Sequence, residues 1–554
     1  MTTPIGSLHW IDIIIIAAYL CVVAGIGIFF SRRQKSLSSF IRGRGKIGWV
    51  ALGMSLMAAL NSGLDYVQAP AMGFAIGLVF VMAFLSWIPL YPWVSRVTLP
   101  FYKRLDVYSA YEYLEQRFGA GVRTLAAGIF ILWRVGWMGA AIYVPCLAVK
   151  AATGGGLSIT TMVVVLGVVV TIYTMLGGIE AVIWNDVAQF CIMFGGLAVT
   201  LYTVVAMIPG GMGEVLQVAS QTGRLDLIGM HAHPGGGPWK QFTTFMTTEV
   251  TIVGMVLMVL LGRAAAFTSD QIAIQRFQSA ESLDQARRSY IVNAVTDTVW
   301  MVVLGFVGLA LFAYHRHFPF PEGMQNDRIL PYFMQHHFPA GVTGLVIAAI
   351  FAASLSSVDS ALNSSASIIV VDFYNRLWLG HRRPPANLSP LEERRQVQVS
   401  RAATACLGVL MIVIGINIER MGEIYQSTNK LIGAFFGPLF GIFVLGMFSR
   451  RAHSVGVALG ALAGLMCSSF ASFFSEVAWL QVVSGRLFGD GFVHFFKHLS
   501  WQWPPPIGVT ATLVAGYALS RLLPSGRAGS QALTYAEVMK RPLAEATCQV
   551  VPPQ

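Results

Sequence analysis

Apolar runs of about 20 residues recur along this chain, the length needed to cross a hydrocarbon core of roughly 30 Å. Backbone inside lipid has no water to bond, so such a chain must fold as helices that satisfy their own amides. The pattern predicts an all-α polytopic membrane protein with spans near 9–30, 47–75, 77–99, 122–150, 159–178, 181–208, 242–266, 289–313, 340–371, 399–416, 426–448, 453–475 and 506–523, about thirteen in all. Of the 554 residues only 11% are charged, against roughly 25% in a soluble domain. A hydrated surface cannot be built from so few charges.

The formal net charge of +11 would suit a nucleic-acid binder, but the basic residues sit in short clusters between apolar runs. No nucleic-acid partner is therefore expected, and the lipid bilayer is. Basic residues favour the inner face of a membrane. Arg32, Arg33, Lys35, Arg42, Arg44 and Lys46 follow the first span, which places the N-terminus outside. With that start, Lys103, Arg104, Arg117 and Arg123 fall inside, as do Arg276, Arg287 and Arg288. The clusters at Arg382–Arg383, Arg394–Arg395, Arg450–Arg451 and Arg521 with Arg527 land on the same side, and the C-terminus with them. A cell (inner) membrane is the expected location. The first run lacks a basic leader and a small-residue cleavage site, so it reads as a retained span.

Five of six cysteines, Cys21, Cys146, Cys191, Cys406 and Cys467, lie inside apolar runs and read as buried free thiols; Cys548 is in the tail. Residues 375–398 read as a polar cytoplasmic loop and 524–554 as a disordered cytoplasmic tail. The stretch 490–503, with Phe496, Trp501 and Trp503, reads as either an interfacial aromatic segment or a simple loop.

Three polar islands interrupt the apolar pattern. The second span carries Asn61-Ser62-Gly63, Asp65, Gln68 and Pro70 at mid-membrane depth. An interrupted helix lining a binding site accounts for these residues; a tight contact of small residues is the alternative. The span 340–371 holds Ser354, Ser356, Ser357, Asp359, Ser360, Asn363, Ser364 and Ser365. Such hydroxyls, with carbonyls freed by a broken helix, resemble a ladder of oxygen ligands for a hard cation, although serines also bond back to their own helix. The third island is Gly177-Gly178 between two spans, followed by Asp186 and Gln189 inside the next helix.

The run Tyr173-Thr174…Gly177-Gly178…Ala181-Val182…Trp184-Asn185-Asp186-Val187-Ala188-Gln189 resembles the signature of the sodium:solute symporter family. Supporting matches are Ser31-Arg32-Arg33…Gly43-Arg44, Tyr113-Leu114…Arg117-Phe118, Asp270-Gln271…Gln275-Arg276 and Gly437-Pro438-Leu439, spread over about residues 10–450. The resemblance implies a fold of the LeuT type, two inverted repeats of five helices. Its boundaries would be 1–45 for an extra helix and inside loop, 46–208 for core helices 1–5, 209–241 for an outside loop, 242–450 for core helices 6–10, 451–523 for two further helices and 524–554 for the tail. It also implies sodium (Na+) as the coupling ion, a small-molecule solute as cargo, and transport rather than enzymatic chemistry.

By the same resemblance, sodium ligands would be the carbonyls of Ala58, Asn61 and Ala353 and the hydroxyls of Ser356 and Ser357. A second cation site would draw on Asp186, Asp359 and Ser360, where the carboxylate of Asp359 departs from the usual hydroxyl or small residue. That carboxylate strengthens a cation site, binds a proton, or pairs with a basic residue. Solute candidates are Asp65, Gln68, Arg134, Trp137, Glu249 and Lys430. Relatives that carry sialic acid use an arginine on core helix 3 for a carboxylate, so an anionic solute is expected; the alternative for Arg134 is an ion pair with Asp65, Glu249 or Asp359. Lys430, near an outer helix end, fits snorkelling as well. Rival readings are a proton-coupled or sensor homologue and a sugar or polyol symporter.

Overall fold

The computed structural model describes residues 8–31, 40, 47–105, 107–226, 237–248, 250–380, 389–418, 424–523 and 531–543. Among these the chain is helical throughout, with no strand. Ten helices are long and apolar enough to cross a membrane. Three expected spans account for the difference from thirteen. Gly63–Leu105 and Ile159–Ala206 each join two neighbours, and Pro504–Leu522 is not among the ten.

The chain starts with α1 (Trp10–Ser31), which turns most of its surface outward. Then come α2 (Trp49–Leu60) and α3 (Gly63–Ile76), separated by Asn61 and Ser62 in extended conformations. The sequence itself makes this break. Ser62 Oγ accepts from Leu64 N at 3.3 Å, and Asp65 accepts from Ser62 N at 2.7 Å, a capping box that starts a new helix. Gly63 is required because a Cβ there would come 2.3 Å from Ser354 Oγ. The chain continues from α3 through short 3-10, α and π turns to Leu105.

Next are α4 (Ala110–Phe118), α5 (Ala120–Ala152) and α6 (Ile159–Ala206). α6 breaks at Gly178, whose φ of 60° and ψ of −167° suit only glycine. α7 (Pro238–Thr247) and α8 (Ile252–Ser269) form a second interrupted pair, followed by α9 (Gln271–Ser279) and α10 (Leu283–His317). α11 (Val342–Ile368) is the central helix: 94% of its apolar window is buried, against 17% for α1. α12 (Pro390–Asn417), α13 (Ile424–Phe448), α14 (Ser454–Phe473) and α15 (Pro504–Leu522) complete the bundle.

Buried ion pairs fix the helix ends. Arg123 on α5 donates to Glu115 at 2.6 Å and to Asp372 beyond α11 at 2.5 Å, while Arg376 donates to the other Glu115 oxygen at 2.6 Å. α1 is held by Asp12, which accepts from Gly341 N and Gly344 N at 2.7 Å each, at the start of α11.

Several expectations need correction. Cys146 alone among the described cysteines is buried; Cys21, Cys191, Cys406 and Cys467 are exposed on helix faces that the rest of the chain does not cover. Residues 531–543, expected to be disordered, include two helical turns with Leu533 and Val538 buried, and Tyr535 donates to Arg96 O at 3.0 Å. Within 490–503, Asp490–Lys497 is a helix, and Ser500–Trp503 packs into the protein. There Ser500 N donates to Met246 O at 3.1 Å on α7, and Gln502 Oε1 accepts from Thr251 N and Oγ at 3.4 Å, just before α8. Trp503 adds a ring contact to Phe245 at 5.1 Å. This segment clasps both sides of the second interruption.

Candidate cation and solute sites

At the α2–α3 break the ordinary helical partners are lost. Ser62 N is taken by Asp65, so the Ala58 carbonyl lacks the amide four residues on. α11 supplies replacements. Ser356 Oγ donates to Ala58 O at 2.9 Å and lies 3.0 Å from Ala353 O. Ser357 Oγ reaches Asn61 O at 2.5 Å, Ala353 O at 3.2 Å and Ala58 O at 3.4 Å. The three carbonyls and two hydroxyls nominated from the sequence thus meet in one buried cluster. Hydroxyl hydrogens can rotate away and leave five neutral oxygens, which suits a hard cation. No carboxylate is among the five, so the cage fits a single positive charge better than two.

The second nominated cluster is chemically different. Arg276, fully buried on α9, donates to Asp186 Oδ2 at 2.7 Å, Ser55 Oγ at 2.7 Å and Ser360 Oγ at 2.5 Å. Ser55 also donates to Asp186 at 2.5 Å. A guanidinium therefore holds the position that the sequence assigned to a second cation. Asp359 takes its hydrogen bonds from Tyr173 OH at 2.9 Å and Ser360 Oγ at 3.3 Å, not from a basic residue. Tyr19 on α1, bonded to Gln189 at 3.1 Å, closes this side of the cluster.

The solute candidates separate. Asp65 is committed to the capping box, and Gln68 Nε2 is buried without an acceptor among the described residues. Arg134 is ion-paired with Asp270, and not with Asp65 or Asp359; the rings of Trp133 and Trp137 flank it at 4.5 and 5.3 Å. Asp270 meets it because that residue caps α9, accepting from Ile272 N at 2.9 Å, so its other oxygen faces α5. Lys430 pairs with Glu476 just past α14 and reaches Ser475 Oγ at 3.4 Å. Glu249 lies outside the described residues.

Sequence reasoning missed a four-part junction beside the break. Asp297 on α10, fully buried, accepts from Asn61 Nδ2 at 2.7 Å, Trp87 Nε1 at 3.2 Å and Arg263 Nη2 at 2.9 Å to each oxygen. The signal was present: both charges sit inside expected spans, where an ionisable residue is itself a sign of function.

The profile of the sodium:solute symporter family matches residues 40–467, more than half of the chain. The sodium/sialic acid symporter NanT of Aliivibrio fischeri is 32% identical, over 83% of this chain and 86% of the relative. The human sodium-coupled monocarboxylate transporter 1 is 29% identical, over 86% and 76%. A substrate-bound, outward-open Na+-coupled sialic acid symporter superposes with a TM-score of 0.78 at 26% identity, covering 94% of this chain and 99% of that one. Mhp1, a nucleobase-cation symporter solved in a closed conformation, shares the fold at a TM-score of 0.53 and 13% identity, over 92% and 99% of the two chains.

Proposed function

The chain belongs to the sodium:solute symporter family, with a LeuT-type fold and sodium as coupling ion, and we propose that it imports a small carboxylate-bearing organic solute. It is a multi-pass transporter rather than an enzyme. The observation that carries the site assignment is the convergence of Ala58, Asn61, Ala353, Ser356 and Ser357 oxygens from α2 and α11. Support for a carboxylate comes from relatives named for sialic acid and monocarboxylates, and from unfilled donors near the break.

In this reading sodium replaces the hydroxyl hydrogens as the bridge between the broken helix and α11. It stabilises the state in which the solute pocket opens outward; the bundle then rocks and releases both cargoes inside. One sodium ion crossing about 100 mV gains roughly 2.3 kcal/mol. A tenfold ion gradient adds about 1.4 kcal/mol, enough together for a solute gradient of several hundredfold. The repeats run 46–208 and 242–450, the N-terminus faces outward across the inner membrane, and the C-terminus is cytoplasmic. Sequence clustering of Lys and Arg supports that orientation. The test is uptake of labelled sialic acid and of short monocarboxylates into proteoliposomes under sodium, potassium and proton gradients. Uptake driven only by sodium is expected; uptake driven equally by a proton gradient would sink the sodium assignment.

A further inference from the structure

Asn61 does two things at once. Its carbonyl takes the Ser357 hydroxyl in the cation cage, at 2.5 Å. Its side-chain amide donates to Met57 O at 2.9 Å and to Asp297 Oδ1 at 2.7 Å. One residue therefore belongs to the cage and to the acid beside it. A carboxylate as deeply buried as Asp297 requires a countercharge, and its ion-pair partner among the described residues is Arg263.

Arg263 is only half used. Both of its bonds leave from Nη2, so Nε and Nη1 lack an acceptor among the described residues. Its side chain is 16% exposed while Asp297 is fully buried, so Arg263 is accessible where the acid is not. The Trp87 ring lies 5.1 Å from the guanidinium, a flat apolar wall beside the charge. A guanidinium edge with free N–H groups is the side-chain geometry best matched to a carboxylate. Arg134, the arginine suggested by resemblance, also bonds through Nη2 alone, to Asp270, and its Nε has no partner among the described residues, but at 4% exposed it is sealed where Arg263 is accessible.

We infer that Arg263 is the anchor for the solute's carboxylate, and that Asp297 links it through Asn61 to the sodium cage. The Arg263 half of this rests on the carboxylate reading above; the Asp297–Asn61 half does not. A solute oxygen on Arg263 competes for the charge that holds Asp297. Asp297 in turn sets where the Asn61 amide, and hence the Asn61 carbonyl, can sit. Because linkage is reciprocal, sodium must then raise solute affinity by the factor by which solute raises sodium affinity.

The experiment has a solute-free arm and a solute arm, both on the full chain. In detergent, sodium is titrated against choline, with melting temperature as readout. Asp297→Ala should raise the half-saturating sodium concentration at least tenfold. Asp297→Asn, which keeps an acceptor for Asn61, should raise it no more than about threefold. Asn61→Ala, which keeps the carbonyl and drops the amide, should follow Asp297→Ala and covers the case in which that variant fails to fold. In proteoliposomes, with sialic acid and lactate as probes, Arg263→Gln should raise KM at least 30-fold for the probe that the wild type imports. This KM is read at saturating sodium, so that it is separate from the change in sodium affinity expected when Asp297 loses its countercharge. Unchanged sodium affinity in both Asp297→Ala and Asn61→Ala overturns the link, and an unchanged KM in Arg263→Gln overturns the anchor. A wild type that imports neither probe removes the carboxylate reading and the anchor with it, while the sodium titration still decides the link.

Discussion

Two polar clusters meet the same central helix, within four residues of each other, and they are opposites. The one at Ser356 and Ser357 is built from neutral oxygens. The one at Asp359 and Ser360 contains two carboxylates and a guanidinium already seated between Asp186 and Ser360. A cation site needs oxygens whose charge is not otherwise spoken for. Counting acidic residues would rank the second cluster first, yet the first is the better candidate, because its attraction for a cation is not satisfied by an arginine.

The largest test of that contrast is Ser356→Ala combined with Ser357→Ala. It removes both hydroxyls while leaving the charges untouched, and sodium-driven uptake should fall at least 100-fold. Uptake near the wild-type level would move the coupling ion elsewhere. A more discriminating test is Arg276→Met, which empties the second cluster of its cation. Loss of one partner from a buried pair costs about 3–5 kcal/mol, so the melting temperature should drop sharply in choline. Sodium should restore part of that loss if two bare carboxylates can recruit an ion; equal melting in the two salts would show that they do not. The smallest effect is expected at Lys430→Ala. Its partner Glu476 is 43% exposed, so the pair contributes less than about 1 kcal/mol, and solute KM should be unchanged. A tenfold rise in KM would return Lys430 to the solute site.

The difference between the clusters also explains what was legible in the sequence. The break at Asn61-Ser62-Gly63 is a local device, written in a capping serine, an aspartate three residues on and a glycine that permits close approach. The serines of α11 are likewise local, and their spacing puts two hydroxyls beside one set of carbonyls. Charge pairing is not local. Arg276 and Asp186 are 90 residues apart, Arg134 and Asp270 136, and Asn61 and Asp297 236. Burial rules say that each charge has a partner; only the packed bundle says which. Arg134 accordingly looked available and is occupied, whereas Arg263 passed as an ordinary basic residue in an apolar span.

The clasp formed by Ser500, Gln502 and Trp503 has a consequence for where this transporter ends as a working machine. The family match stops at residue 467, yet the strand of chain before α15 grips both α7 and α8 across their interruption. α7 has no buried residue of its own, so its bearing on the bundle depends on that grip. A version trimmed to the matched residues would keep every oxygen of the cage and still lose the mounting of one of its two jointed helices. The segment leading into α15 is then part of the moving mechanism's chassis rather than an appendage to it.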